Sequence, residues 1–175
     1  MAQRRDADYW IEQLDLDDHV EGGHYARTYT CDVVADGEGL PEEYTEERST
    51  ASSIYYLLRD DEFSTFHRID ADELWHFYRG DPLRLYLLGD ELETVVLGRD
   101  QFQTVVPRDT WFAAEVVSDP DDAGTDDEAA HGYTLVGCDV TPAFEDATYE
   151  LADEERAEEL AAEFEKHREL VERLT

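Results

Sequence analysis

The residues best equipped for chemistry are grouped in one stretch, Phe66 to Gly80, which reads FHRIDADELWHFYRG. His67 and Glu73 stand six positions apart across a bend, and His76 follows three later. Histidine titrates near neutral pH and moves protons, and His and Glu together also ligate divalent transition metals. A tight site wants three or four such ligands. Glu73 and His76, three apart, point to opposite faces of a regular strand. Only a bulge or bend would therefore let His67, Glu73 and His76 share a metal. Each also has a plainer alternative: His67 as a structural side chain bonded to a backbone carbonyl, and Glu73, beside Asp70 and Asp72, as solvated surface.

Other side chains are suited to build a pocket around that stretch. Tyr25, Trp75, Trp111 and Phe112 offer apolar walls against which a ring can stack. Arg27, Arg68 or Arg84 would supply the cation that a phosphate or carboxylate needs. Glu21, ahead of Gly22-Gly23, is a candidate binding residue, with a simple turn role as its alternative. Tyr55, Tyr56, Tyr78 and Tyr133 are candidate acids, and the sequence does not choose among them. Trp75, Phe77, Tyr55 and Tyr56 double as core or interface aromatics.

The elements that must position these groups are mostly strands. Asp6 to Leu14 forms a short helix capped by Asp6 or Asp8, with Trp10, Ile11 and Leu14 on its apolar side. After the Gly-Gly turn, Tyr25, Arg27 and Tyr29 alternate with Ala26 and Thr28. Further strands are expected at residues 53–58, 63–67, 74–78, 83–88, 93–97, 102–106, 111–117 and 133–140. Short strands at this spacing predict a β sandwich or barrel. Residues 36–47 and 119–128 read as acidic loops. From Leu151 to Leu174, Ala157, Leu160, Phe164, His167, Val171 and Leu174 recur at spacings of three and four. That pattern predicts one long helix packed on the sheet. No linker divides the chain, so a single domain over residues 1–175 is expected, with the barrel over about 20–145.

Composition narrows the partners. The 175 residues carry 46 Asp and Glu against 14 Lys and Arg, a formal charge of −32. Phosphate contacts need clustered cations, so a nucleic-acid groove is excluded, as is docking on an anionic membrane. Lys166 is the single lysine. Self-repulsion of this size is relieved when multimolar salt shortens the Debye length, and the acidic skin reads as adaptation to a salty cytoplasm, with binding of a basic partner or mimicry of nucleic acid as the alternatives. No apolar stretch approaches a membrane span, and no signal peptide is visible, so a soluble cytoplasmic protein is expected. Cys31 and Cys138 sit in apolar strand contexts and read as small buried side chains.

The order of the motifs resembles the cupin superfamily, whose first motif is His-x-His, three or four residues, Glu, six residues, Gly. His67, Glu73 and Gly80 fall on that spacing, while Ile69 stands at the second histidine position. In the second motif, Pro-x-Gly-x-x-His, Pro107 fits, Asp109 replaces the glycine and Phe112 the histidine. EGGHYARTY, SSIYYLL, FHRIDADELWHFYRGDPL, VVPRDTW, GYTLVGCDVTPAF and ELADEE occur in that order. Together they resemble a family of short, single-domain cupins of unassigned function, related in fold to the dTDP-sugar epimerases (RmlC-like). The resemblance implies a mainly β jelly roll with an N-terminal and a C-terminal helix, a homodimer, and a small polar metabolite in the barrel. It further implies proton transfer, with His67 as base, Glu73 orienting it, and a tyrosine such as Tyr55 as acid. A non-catalytic binding or sensor protein and a metal-dependent enzyme using His67, Glu73 and His76 are the alternatives. No cofactor is implied beyond a divalent metal.

Overall fold

Two antiparallel sheets face each other across the main core. The computed structural model describes residues 5–35, 47–117 and 131–175, so the acidic stretch 119–128 and all of 36–47 but Glu47 lie outside the described residues. Helix α1 (Ala7–Leu14) is capped by Asp6, whose side chain accepts from the Tyr9 amide at 3.0 Å. Asp6 and not Asp8 is therefore the cap, leaving one orphan donor of the first turn satisfied.

The strands run β1 (Asp17–Asp18), β2 (His24–Thr30), β3 (Val34–Ala35), β4 (Arg48–Ser49), β5 (Ser52–Arg59), β6 (Phe63–Arg68), β7 (Asp72–Gly80) and β8 (Leu83–Leu88). They continue with β9 (Leu92–Leu97), β10 (Gln103–Val106), β11 (Trp111–Val116), β12 (Tyr133–Thr141) and β13 (Glu150–Leu151). One sheet has the order β1-β2-β5-β12-β7-β10 and the other β13-β6-β11-β8-β9. This interleaving of strands distant in sequence is the mainly β jelly roll that the family resemblance implied, within the sandwich or barrel class that the turn spacing predicted.

Alternation along each strand sends one set of side chains inward. Tyr56, Trp75, Leu85, Leu97, Phe112 and Val136 form the core between the sheets. Opposite faces are covered by helices. Ala7, Trp10, Ile11 and Leu14 of α1 pack with Leu57, Tyr133 and Leu135 on the six-stranded sheet. Leu160, Ala161, Val171 and Leu174 pack with Phe66, Trp111 and Ala113 on the five-stranded sheet.

The expected long C-terminal helix is instead two. Helix α2 (Glu154–Glu163) ends at Phe164, a 3-10 turn covers Glu165–His167, and α3 (Arg168–Arg173) follows. The break lets Leu160 and Val171 both reach zero exposure on a twisted sheet, and the Leu174 carbonyl accepts from the Phe66 amide at 3.0 Å. A straight helix would carry one of these ends off the surface. Both cysteines are free; Cys138 is buried and Cys31 only half-buried.

Gly22 is required where the chain enters the site. Its φ is +107°, and a Cβ there would stand 2.2 Å from the Phe63 carbonyl oxygen. Only glycine tolerates both conditions, and the turn it makes delivers Glu21 to the mouth of the barrel.

Candidate functional site

Between the sheets, open at one end, lies a cavity of about 290 Å³. Glu21 and Arg27 reach it from the first segments of the chain, His67 and Ile69 from the end of β6, and Glu73 and Trp75 from β7. Glu73 and Trp75 are two apart and so share a face, as strand geometry requires. The cavity gathers Glu21, Tyr25, Arg27, Tyr56, His67, Glu73 and Trp75 of the residues picked out in the sequence.

The other candidates fall elsewhere. His76 lies on the opposite face of β7 from Glu73, as three-residue spacing dictates, with Nε2 2.9 Å from Asp139 Oδ2 and Nδ1 3.1 Å from Gln103 Nε2. Tyr55 packs edge-on to Tyr78, with ring centroids 6.0 Å apart, and its neighbour Tyr56 takes the cavity side. Trp111 points to the C-terminal helices, its ring flanked by the guanidinium groups of Arg68 at 5.1 Å and Arg156 at 5.0 Å. Tyr133 accepts from Trp10 Nε1 at 2.7 Å and fixes α1 to the sheet. Phe112 is fully buried against His67, centroids 4.1 Å apart, and is a floor behind the histidine without lining the cavity. Arg68 and Arg84 do not line it either; Arg68 pairs with Glu150 at 2.8 Å.

His67 is oriented from both nitrogens. Nδ1 lies 2.7 Å from the Thr65 carbonyl oxygen, which can only accept, so Nδ1 carries a proton. Nε2 lies 3.3 Å from Glu21 Oε2. The plain and the chemical readings of His67 thus coexist, since the carbonyl bond fixes the tautomer that presents Nε2 to the site. Glu21 is buried yet well partnered: Ser64 Oγ donates to Oε1 at 2.9 Å and the Tyr149 hydroxyl to Oε2 at 3.3 Å.

Glu73 is a different carboxyl. Burial, and then the nearby Glu21 carboxylate, push its pKa up to about 8, partly offset by the Trp75 indole and Cys138 thiol beside it. Those two groups approach without reaching hydrogen-bond geometry, and Glu73 Oε2 and Trp75 Nε1 are buried with no partner. At neutral pH Glu73 therefore keeps its proton, a state made by its environment alone. His19, 3.6 Å from Glu21 through Nδ1, is pushed down by burial and stays neutral. Burial and Glu21 raise both Tyr56, whose hydroxyl donates to the Gly22 carbonyl at 2.7 Å, and Tyr149.

His19 and Tyr149 were not singled out in the sequence. Tyr149 follows a 3-10 turn, Asp146–Thr148, and precedes β13, a two-residue strand too short to leave a periodic signal. His19 stands in an irregular segment where only the adjoining Glu21-Gly-Gly turn hints at a site.

The fold, the order of motifs and the site now meet in one comparison. The description "Cupin superfamily (DUF985)" matches residues 8–152. The chain belongs to this cupin family. It is 34% identical to protein SO0799 from Shewanella oneidensis, with a TM-score of 0.79 and 97% of each chain covered. A hypothetical protein from Leishmania major is 26% identical, with a TM-score of 0.81, covering 97% of this chain and 98% of its own. Oxalate decarboxylase from Lactobacillus farciminis shares the fold, with a TM-score of 0.52, 12% identity, and 93% of this chain against 42% of that one. Among curated proteins none matches this sequence.

Cupins commonly hold metals, and the residues here fit one poorly. Ile69 and Phe112 occupy the positions of two family histidines, and both are buried apolar groups at the site. His76, the substitute ligand considered from sequence, lies on the far face of β7. Among the described residues, no three His, Cys, Asp or Glu side chains converge to hold a metal ion. Among them, too, no helix is long and apolar enough to cross a membrane.

Proposed function

We propose that this cupin binds a small polar metabolite in its barrel and catalyses proton transfer next to a carbonyl, as an isomerase or epimerase without a metal. The observation that carries the reading is the His67–Glu21 pair, buried, fixed in one tautomer, and facing the same cavity as a neutral carboxyl. The substrate C–H gives its proton to His67 Nε2, and the charge gained is met by Glu21 at 3.3 Å. The C–H electron pair moves onto the carbonyl as an enolate. Where the deprotonated carbon carries a hydroxyl, that hydroxyl's proton passes to the enolate oxygen, and return of the proton from His67 to the former carbonyl carbon leaves the new carbonyl and isomerises the substrate; return of a proton to the original carbon from the opposite face epimerises it. Tyr56 and Tyr149 have their hydroxyls committed to Gly22 and Glu21, so the Tyr25 hydroxyl, without a partner among the described residues, returns the proton in the second case.

A cavity of about 290 Å³ sits at the low end of ligand pockets, which run from about 300 to 1,000 Å³. It encloses one ring or a short chain, leaving any nucleotide portion outside. Arg27, its guanidinium carbon 5.6 Å from the Phe144 ring, stands at the mouth to meet an anionic group there. Exposed Tyr78 and Val105 on the outer face of the six-stranded sheet support homodimerisation. The acidic surface supports work in high salt.

The test is hydrogen exchange in D₂O, followed by proton NMR over a panel of small aldoses, ketoses and sugar nucleotides. Exchange that survives chelators, is lost in His67→Ala, and loses only its epimerising part in Tyr25→Phe supports the reading. Exchange that vanishes with chelator and returns with metal overturns it, as does a panel with no exchange at all.

A further inference from the structure

We infer that Glu73 and Trp75 form an oxygen-binding pair, the carboxyl O–H and the indole N–H donating together to one carbonyl oxygen of the ligand. Both side chains point inward from β7, both line the cavity, and they are 7% and 1% exposed. Glu73 Oε2 and Trp75 Nε1 are each buried without a hydrogen-bond partner. A buried polar group left unpaired costs about 1–3 kcal/mol, and native proteins leave few of them without a reason. Two on adjacent inward positions, at the wall of a cavity, point to a place where a polar ligand atom binds.

The chemistry of the pair selects the atom. An indole N–H donates only, so the occupant must accept there, and an ammonium group would face a like dipole. The neutral Glu73 carboxyl donates as well, because burial and the Glu21 carboxylate keep its proton on. Two donors beside each other in a dry cavity suit a carbonyl oxygen, and suit it better once negative charge develops on it. The ligand class is therefore a small carbonyl compound. For the role of the pair in turnover the inference rests on the proton-transfer reading above. Its binding half stands by itself.

Phenols test it, since a phenol oxygen resembles that of an enolate. Binding of 4-fluorophenol, followed by fluorine NMR at pH 6.5, is expected in the wild type. Glu73→Leu and Trp75→Phe should each weaken it about tenfold or more, while His76→Ala, on the opposite strand face, should leave it unchanged. Wild-type binding should fade as pH rises through about 8 and Glu73 ionises, whereas Glu73→Gln should show no such step. Should Glu73→Leu fail to fold, the infrared band of a neutral buried carboxyl, shifting when phenol is added and missing in Glu73→Gln, decides the matter. No phenol binding at millimolar concentration, or equal binding by all variants, overturns the inference. Phenol binding without any C–H exchange would sink the catalytic reading alone; exchange without phenol binding would sink only this pair.

Discussion

His67 Nε2 and Glu21 Oε2 lie 3.3 Å apart although 46 residues separate them, and both side chains are almost fully buried. The contact joins the end of β6 to the turn before β2. Removing one member of such a pair leaves an unmatched buried group, at a cost of about 3–5 kcal/mol. Glu21→Ala is expected to lower unfolding free energy by about that amount. Chemical denaturation of Glu21→Ala, His67→Ala and the double variant would measure the coupling; strict additivity would show that the two do not interact.

The Glu73 carboxyl makes stability fall as pH rises. Its pKa is about 8 in the folded protein against 4.5 for an unperturbed glutamate. Below 4.5 both states hold the proton and this group adds no pH dependence. Between 4.5 and 8 the unfolded chain releases the proton and the native state keeps it, so this group's contribution declines by about 1.4 kcal/mol per pH unit. Denaturation from pH 5 to pH 9 in Glu73→Gln should lack that decline, with the variant gaining several kcal/mol on wild type at the alkaline end. Parallel curves for the two proteins would mean Glu73 is ionised throughout.

Two apolar residues account for the poor metal fit, and restoring histidine there should repair it. Ile69→His with Phe112→His gives back the two family ligands beside His67 and Glu73. Calorimetry with Ni²⁺ or Zn²⁺ is expected to show binding at least about a hundredfold tighter than in wild type. Stoichiometric metal in untreated wild-type protein would contradict this account of the site.

The formal charge of −32 predicts that salt stabilises the fold. At 1 M the Debye length is about 3 Å, which removes most repulsion between surface carboxylates. The midpoint of thermal unfolding should climb steadily from dilute buffer into the molar range of KCl. Full stability in dilute buffer would show that the acidic surface is not a salt adaptation.

The strand-rich class, the N-terminal helix and the helical character of the C-terminal segment were legible in the sequence, as were most of the candidate residues that line the cavity. Those came from alternation, turn residues and the His67–Glu73–Gly80 spacing, all of which act within a few residues. It also contained the reason to set His76 aside, since period-two geometry already opposed it to Glu73. Tertiary structure decided what depends on contacts between distant segments. Tyr56 and not Tyr55 faces the cavity because of the register of β5 against β2 and β12. Trp111 and Tyr133 serve helix docking because helices cover the outer faces of both sheets. Tyr149 and His19 enter the site from irregular segments with no period to read. The different surroundings of the two glutamates are likewise tertiary: Glu21 meets Ser64, Tyr149, His67 and His19, whereas Glu73 Oε2 has no hydrogen-bond partner among the described residues.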